Sequence, residues 1–287
     1  MAGNLIRYDL SLPSYFFYPP APGVDTRPMI PRKEERQLFM RGEFGIKPDG
    51  RMRPISAHNT THLDAPFHFI STGKDMAAVL NHQETVGDRP ALARVVSLAG
   101  QEAGAGSITR SGVTYCDSVS GAQLPPVGEL SQYDALVLLT GFGKIMAQQG
   151  GAAFSLAEDG SYHVPHLQPD AVDRILESGL GLVAIDSPGV EPEIGIEPLR
   201  YSSEVHLRLL GHEPPVLILE ALGGGDLARQ VGFMPAEALL HMVPRRVNEQ
   251  GADAAHGRAF LYFYRDDPGG EALRRLTAMM TPGELYG

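Results

Sequence analysis

Three imidazoles and a carboxylate stand close together in the run His58-Asn59-Thr60-Thr61-His62-Leu63-Asp64-Ala65-Pro66-Phe67-His68. Neutral imidazole and carboxylate are the usual ligands of zinc and similar divalent ions, bound at ~2.0–2.2 Å. In an extended segment, side chains at even spacing share one face, so His58, His62 and Asp64 point the same way. The β-branched pair Thr60-Thr61 favours that conformation. A helix would also align His58 with His62, but it would swing Asp64 aside. Three protein ligands leave a position for solvent, which is the arrangement of a catalytic site rather than a structural one. Pro66 ends any helix before it can include His68. Beyond that turn, His68 is better placed as a proton carrier than as another ligand.

Two further residues are candidates for a second metal site: His206, on a helix capped by Ser202 or Ser203, and Glu220, at the end of an apolar strand. Short apolar runs at residues 93–98, 135–140, 180–185 and 216–219 suit strands buried on both faces, and 258–264 is an aromatic-rich strand. Between them, Pro169 opens a helix whose Val172, Ile175 and Leu176 share a face and which Gly179 terminates. A second helix turns Val205, Leu209 and Leu210 inward and stops at Gly211. This alternation predicts a mixed α/β fold. Gly141, Asp186 and Glu220 follow or close three of the strands, and ligands of α/β sheets gather at such carboxyl ends.

The chain has 287 residues with 33 Gly and 23 Pro, rich in turns, and shows no repeat or low-complexity linker, which favours a single domain. We expect a strand and extended arm over residues 1–53, a catalytic core over 54–265 and a helical tail over 266–287. A net charge of -10 with no basic block excludes a phosphate-backbone partner. The lone cysteine, Cys116, forms no internal disulfide and reads as a small buried residue rather than a nucleophile. No segment resembles a signal peptide or a membrane span, so the expectation is a cytoplasmic protein acting on a small molecule, with neither nucleic acid nor membrane as partner. The cluster Tyr15-Phe16-Phe17-Tyr18 reads as packing or as an aromatic wall for a flat substrate. Phe67 and Phe69, with Phe16 and Phe17, are the candidate substrate contacts.

The run from His58 to His68 resembles the signature His-x-Gly-Thr-His-x-Asp-x-Pro-x-His of the cyclase-like metal hydrolases, the family of kynurenine formamidase, isatin hydrolase and dienelactone hydrolase. The likeness continues in chain order. Leu136-Val137-Leu138-Leu139-Thr140-Gly141-Phe142 resembles the family strand ending in Thr-Gly-Trp. Val183-Ala184-Ile185-Asp186-Ser187-Pro188 resembles Gly-Ile-Asp-Thr-Pro, and Leu217-Ile218-Leu219-Glu220-Ala221-Leu222 resembles Ile-Glu-Asn-Leu. The resemblance implies a swivelling β/β/α fold assembled as a homodimer or homotetramer. It implies His58, His62 and Asp64 as first-metal ligands and His68 as the catalytic acid/base. For the dinuclear members it also implies Asp64 as a bridge to a second ion held by His206 and Glu220, while other members use a single ion, often manganese; zinc or manganese is the metal, as one or two ions. Thr60 stands where the family has Gly. The element Gly211-His212-Glu213-Pro214-Pro215 makes His212 a rival to His206, and in the inserted-looking residues 147–166 His163 and His166 read as loop residues rather than pocket ligands.

The chemistry that follows is hydrolysis. A divalent ion lowers the pKa of bound water toward ~7, and the resulting hydroxide attacks the carbonyl of an amide, formamide or cyclic amide. His68 takes a proton from the nucleophile and returns it to the leaving group. Lactone opening or dehydrative ring closure in secondary metabolism is the alternative. A non-catalytic metal- or ligand-binding protein on the same scaffold is the third reading, and the proton carrier His68 argues against it.

Overall fold

The computed structural model describes residues 5–12, 44–46, 52–54, 58, 61–81, 90–99, 107–110, 112–149, 164–191, 204–244, 251–267 and 270–279. In chain order the strands are β1 (Leu5–Asp9), β2 (Phe44–Ile46), β3 (Met52–Pro54), β4 (His62–Asp64), β5 (Ala91–Ser97), β6 (Ser107–Arg110), β7 (Val113–Cys116), β8 (Ser118–Val119), β9 (Ala135–Leu139), β10 (His166–Leu167), β11 (Leu182–Ile185), β12 (Leu217–Glu220), β13 (Glu237–Pro244) and β14 (Ala254–Tyr264). The helices are α1 (Met76–Asn81), α2 (Val127–Leu130), α3 (Phe142–Gln149), α4 (Pro169–Ser178), α5 (Glu204–Leu210), α6 (Leu227–Val231) and α7 (Glu271–Met279). None is long and apolar enough to cross a membrane.

Eight strands form one sheet in the order β1-β14-β13-β5-β9-β11-β12-β4, and β4 pairs again with β14. The seven strands from β14 round to β4 therefore close on themselves, with β1 appended to β14. Strands β5, β9, β11 and β12 run parallel to one another, joined by crossovers that carry α2, α3, α4 and α5. The remaining pairings of this sheet are antiparallel. Strands β9, β11 and β12 are buried at every position, as expected for parallel strands covered on both sides.

Side-chain alternation divides the core in two. Leu63, Val95, Val137, Leu139, Ala184, Leu217, Leu219, Leu261 and Phe263 belong to one cluster drawn from every strand of the closed sheet, with Met76 of α1 and Leu227 of α6 added. This is the barrel interior. The alternate residues Leu136, Leu138, Val183, Ile185 and Ile218 face outward and pack under Val172 and Ile175 of α4 and Val205, Leu209 and Leu210 of α5. At ~1.5–3 kcal/mol for each fully buried aliphatic side chain, these two layers fix which face each strand presents.

Helix α4 begins with Pro169 at its first position and ends on Gly179 in the left-handed region, φ 74°. A residue with a Cβ is strained there. Helix α5 is followed by Gly211, while the expected caps Ser202 and Ser203 lie outside the described residues. Cys116 is buried, burial raises its thiol pKa, and the Gln123 amide donates to its sulfur at 3.4 Å.

Candidate metal centre and active site

Register alone assembles most of the site. On β4, Leu63 enters the barrel interior, so His62 and Asp64 face outward. Across the β4–β12 pairing, Glu220 lies opposite His62 and Ile218 opposite Asp64, and directly paired residues share a face. Helix α5 covers this outer face, and its first turn brings down His206. Glu220, His62, Asp64 and His206 are all buried, Asp64 completely at 0% exposure.

His58 and His68 depart from the expected local geometry. The extended segment starts at His62, and His58 sits in a turn before it, reaching Asp64 from the side rather than along a shared strand face. Pro66 does not exclude His68 from a helical turn. Instead it opens a 3-10 turn, Pro66–His68, in which His68 is the last residue. The missing N–H of a proline costs nothing at a helix start. The loop is pinned by Phe67 N–H to the Lys74 carbonyl (3.0 Å) and Gly73 N–H to the Ile70 carbonyl (2.8 Å). Gly73 must be small, since a Cβ there would stand 2.7 Å from the Pro66 carbonyl carbon.

The donor atoms converge. Asp64 Oδ1 is 3.0 Å from His58 Nδ1 and 3.4 Å from His62 Nε2, and Asp64 Oδ2 is 3.7 Å from His206 Nε2. Glu220 places Oε2 3.3 Å from His62 Nε2 and Oε1 3.2 Å from His206 Nε2. Both oxygens of Asp64 are buried without a donor in hydrogen-bonding geometry. Leaving a buried carboxylate so is costly unless a cation compensates it. Four donors set tetrahedrally at ~2.1 Å around one ion stand roughly 3.4 Å apart, which is the spacing seen here. His58, Asp64 and His68 form one group with ligand atoms within 4.8 Å of one another, and His62, Asp64 and Glu220 form a second. His62 is as near Glu220 as Asp64, so the donors make one basin around the shared Asp64. The residues present fit a divalent metal.

Electrostatics separates the histidines. Burial pulls His62 down, but the charge of Asp64 and contacts with Asp64 and Glu220 outweigh it and raise its pKa to about 9. His206 is likewise lowered by burial and raised by Glu191 and Glu220, to about 9. Burial and the neighbouring His58 instead lower His68, which is therefore neutral at pH 7. Burial opposes ionisation of Asp64, yet the surrounding imidazoles hold its carboxyl well below the usual range.

Two further residues, marked by no motif in the sequence, complete the site. Asp253, just before β14, lies 3.7 Å from His58 Nε2 and 3.5 Å from His68 Nδ1, and its main-chain carbonyl accepts the Ala65 N–H at 2.8 Å. Glu191 accepts both the main-chain N–H of His206 (2.8 Å) and a contact from its ring Nδ1 (3.1 Å). The β4–β14 register also puts His256 opposite His62 on the outer face.

The other expected residues fall as follows. Phe69 is half-buried, with its ring centroid 4.3 Å from His68 and 4.5 Å from His206, and it also packs on the outer core. Phe67 is half-buried in the same turn. Phe16, Phe17 and the rest of the Tyr15–Tyr18 cluster lie outside the described residues, as do Thr60 and His163. His212 faces its own loop, with Nδ1 2.9 Å from the Pro214 carbonyl, and His166 turns to the Val164 carbonyl at 3.3 Å. Neither reaches the basin.

Asp186 has a different duty. Its carboxylate accepts Thr140 N–H and Oγ1–H, both at 2.6 Å, Gly141 N–H at 3.0 Å and Gly143 N–H at 3.2 Å. It ties the ends of β9 and β11 to the first turn of α3. At the end of β12, Ala221 adopts φ 57°, unusual for a residue with a Cβ. Its carbonyl accepts the Thr61 hydroxyl at 2.8 Å, linking the two strands that carry Glu220 and His62.

The closed mixed sheet with an outward-facing histidine–carboxylate basin defines a metal-binding protein of the cyclase fold. The chain belongs to the Cyclase family: the family model, described as "Putative cyclase", matches residues 8–192, more than half of its length. It is similar to kynurenine formamidase of Bacillus cereus, 28% identical over 138 residues, which are 48% of this chain and 51% of that one. The match thus spans about half the length of this curated relative. Two solved structures share the fold. One, described as a potential metal-dependent hydrolase with cyclase activity, has TM-score 0.54 at 17% identity, over 90% of this chain and 98% of that one. The other, a predicted metal-dependent hydrolase from Bacillus stearothermophilus, has TM-score 0.50 at 16% identity over the same shares.

Proposed function

We propose that this protein is a metal-dependent hydrolase that cleaves a carbonyl C–N bond in a small amide, formamide or cyclic amide. The observation that carries this reading is the buried Asp64 carboxylate, bare of hydrogen bonds, with nitrogens of His58, His62 and His206 within 3.0–3.7 Å. Family membership and the likeness to a kynurenine formamidase support it. His58, His62 and Asp64 would hold one divalent ion, and Asp64, His206 and Glu220 a second, as zinc or manganese. A divalent ion in such a basin supplies nucleophilic water at neutral pH and polarises a carbonyl.

The chain's own groups do the rest. His68 is neutral at pH 7, and Asp253, 3.5 Å from its Nδ1, would draw the ring proton there once that contact closes to a hydrogen bond, leaving the Nε2 lone pair to accept a proton from the attacking water. The same nitrogen then donates to the departing nitrogen. Such contacts are often long in the absence of substrate, as the 3.5 Å separation is here. Phe69, against His68 and His206, offers a flat apolar wall to a planar substrate.

The test is turnover of N-formyl anilines, isatin and lactones by metal-loaded protein, followed by product mass. Addition of water to the formanilides or isatin, abolished by chelation, is the expected result. Addition of water to lactones alone replaces the substrate class, and loss of water from a substrate replaces hydrolysis with cyclisation. Inertness toward every carbonyl, with tight binding of one, makes this a binding protein.

A further inference from the structure

Glu191 is 2% exposed, and its ion-pair partner is His206. A single oxygen, Oε1, meets both the main-chain N–H and the ring Nδ1 of that histidine, while Oε2 is buried without a hydrogen-bond partner. On the far side of the ring, Nε2 points between Glu220 Oε1 at 3.2 Å and Asp64 Oδ2 at 3.7 Å. The imidazole is thus strung between one carboxylate outside the basin and two inside it. Neutral imidazole carries one ring proton, and a ligand nitrogen must be the one without it.

We propose that Glu191 is a positioning residue that dedicates His206 to the second ion. When metal displaces the second ring proton, Glu191 would keep the remaining one on Nδ1, so that the Nε2 lone pair is the one offered between Asp64 and Glu220. Because the same oxygen binds the His206 main chain, ring orientation and the first turn of α5 are fixed together. A carboxylate behind a ligating histidine also strengthens the histidine as a donor. His62, the other fully buried histidine among the described residues, contacts two carboxylates of the basin itself, so the effect of Glu191 falls on one ion and not on both.

This assignment rests on the two-ion reading above, and the test separates them. Metal-free full-length wild type, Glu191→Ala, Glu191→Gln and, as reference, His206→Ala are titrated with zinc alone by calorimetry, with bound zinc counted by elemental analysis after dialysis. Wild type is expected to take two ions. Glu191→Ala is expected to weaken one of them by roughly 10- to 100-fold and leave the other unchanged. Glu191→Gln, which keeps an oxygen acceptor and loses the charge, falls between. In zinc-loaded protein, long-range proton–nitrogen spectra of labelled histidine place the His206 proton on Nδ1. Two ions bound with wild-type affinity by Glu191→Ala, or both weakened alike, overturn the assignment alone. If Glu191→Ala fails to fold, as judged by circular dichroism, Glu191→Gln decides: a loss confined to one ion supports the role, and none refutes it. A wild type that never takes more than one ion sinks the two-ion reading and the assignment with it.

Discussion

Loading the metal-free protein at neutral pH must release protons from the site, and their number follows from its electrostatics. Without metal, His62 and His206 compensate the buried Asp64 and Glu220, and both titrate at about 9. At pH 7, two units lower, each is ~99% protonated, so each ion must displace about one proton. Each apparent dissociation constant therefore tightens about tenfold per pH unit between pH 7 and pH 9 and levels off above. The sign for folding is opposite. Both folded values lie above the ordinary ~6.5, so the stability these groups give the metal-free protein is complete below pH ~6.5 and disappears as pH rises through 9. The assay is calorimetric titration with manganese at pH 7 in buffers of different ionisation enthalpy, whose slope counts protons. About two are expected from the imidazoles of wild type and about one fewer in His206→Gln. A total well below one at pH 7, or no difference between the two proteins, refutes the placement of these histidines as ligands.

Other outcomes follow from named contacts. His68→Ala should keep its metal by elemental analysis while turnover falls by about 10²–10⁴, the usual worth of a general acid/base; loss of metal would make His68 a ligand. Asp64→Asn should lose both ions on dialysis, because the two carboxylate oxygens face His58 and His62 on one side and His206 on the other. Retention of one ion at full affinity would show that Asp64 is not shared. Asp186→Ala strands three main-chain amides; at about 1–3 kcal/mol for each buried donor left unpaired, urea denaturation should show a loss above about 3 kcal/mol. A loss under about 1 kcal/mol would mean that the turn at Gly141 finds other acceptors.

The chemistry of the site was legible where its residues are neighbours in sequence. His58, His62, Asp64 and His68 declare themselves by type and spacing, and the parallel strands β9, β11 and β12 by unbroken apolar runs. His206 and Glu220 were readable as positions at a helix start and a strand end, but only the register of β4 on β12 joins them to His62. Glu191 and Asp253 were not legible. Glu191 is one acid in Val190-Glu191-Pro192-Glu193, and Asp253 sits between alanines. Their roles come from partners 15 residues away in one case and from the barrel-closing pairing in the other. That pairing has no sequence signature: Ala254-Ala255-His256-Gly257 lacks β-branched residues, and strand patterning is visible only from Arg258 on. Strand β13 escaped for a related reason. Glu237-Ala238-Leu239-Leu240-His241-Met242 has helix-favouring composition, and pairing with β5 and β14 overrides it.

Everything proposed for this site depends on Asp64 and its surrounding imidazoles gripping a divalent cation. Anomalous diffraction at the zinc or manganese edge, from crystals of metal-loaded protein, tests it most directly. A peak is expected within ~2.0–2.2 Å of Asp64 and His62 donor atoms, with a second beside His206 and Glu220. Density showing no metal at Asp64, or an ion bound at another part of the molecule while this basin stays empty, contradicts it.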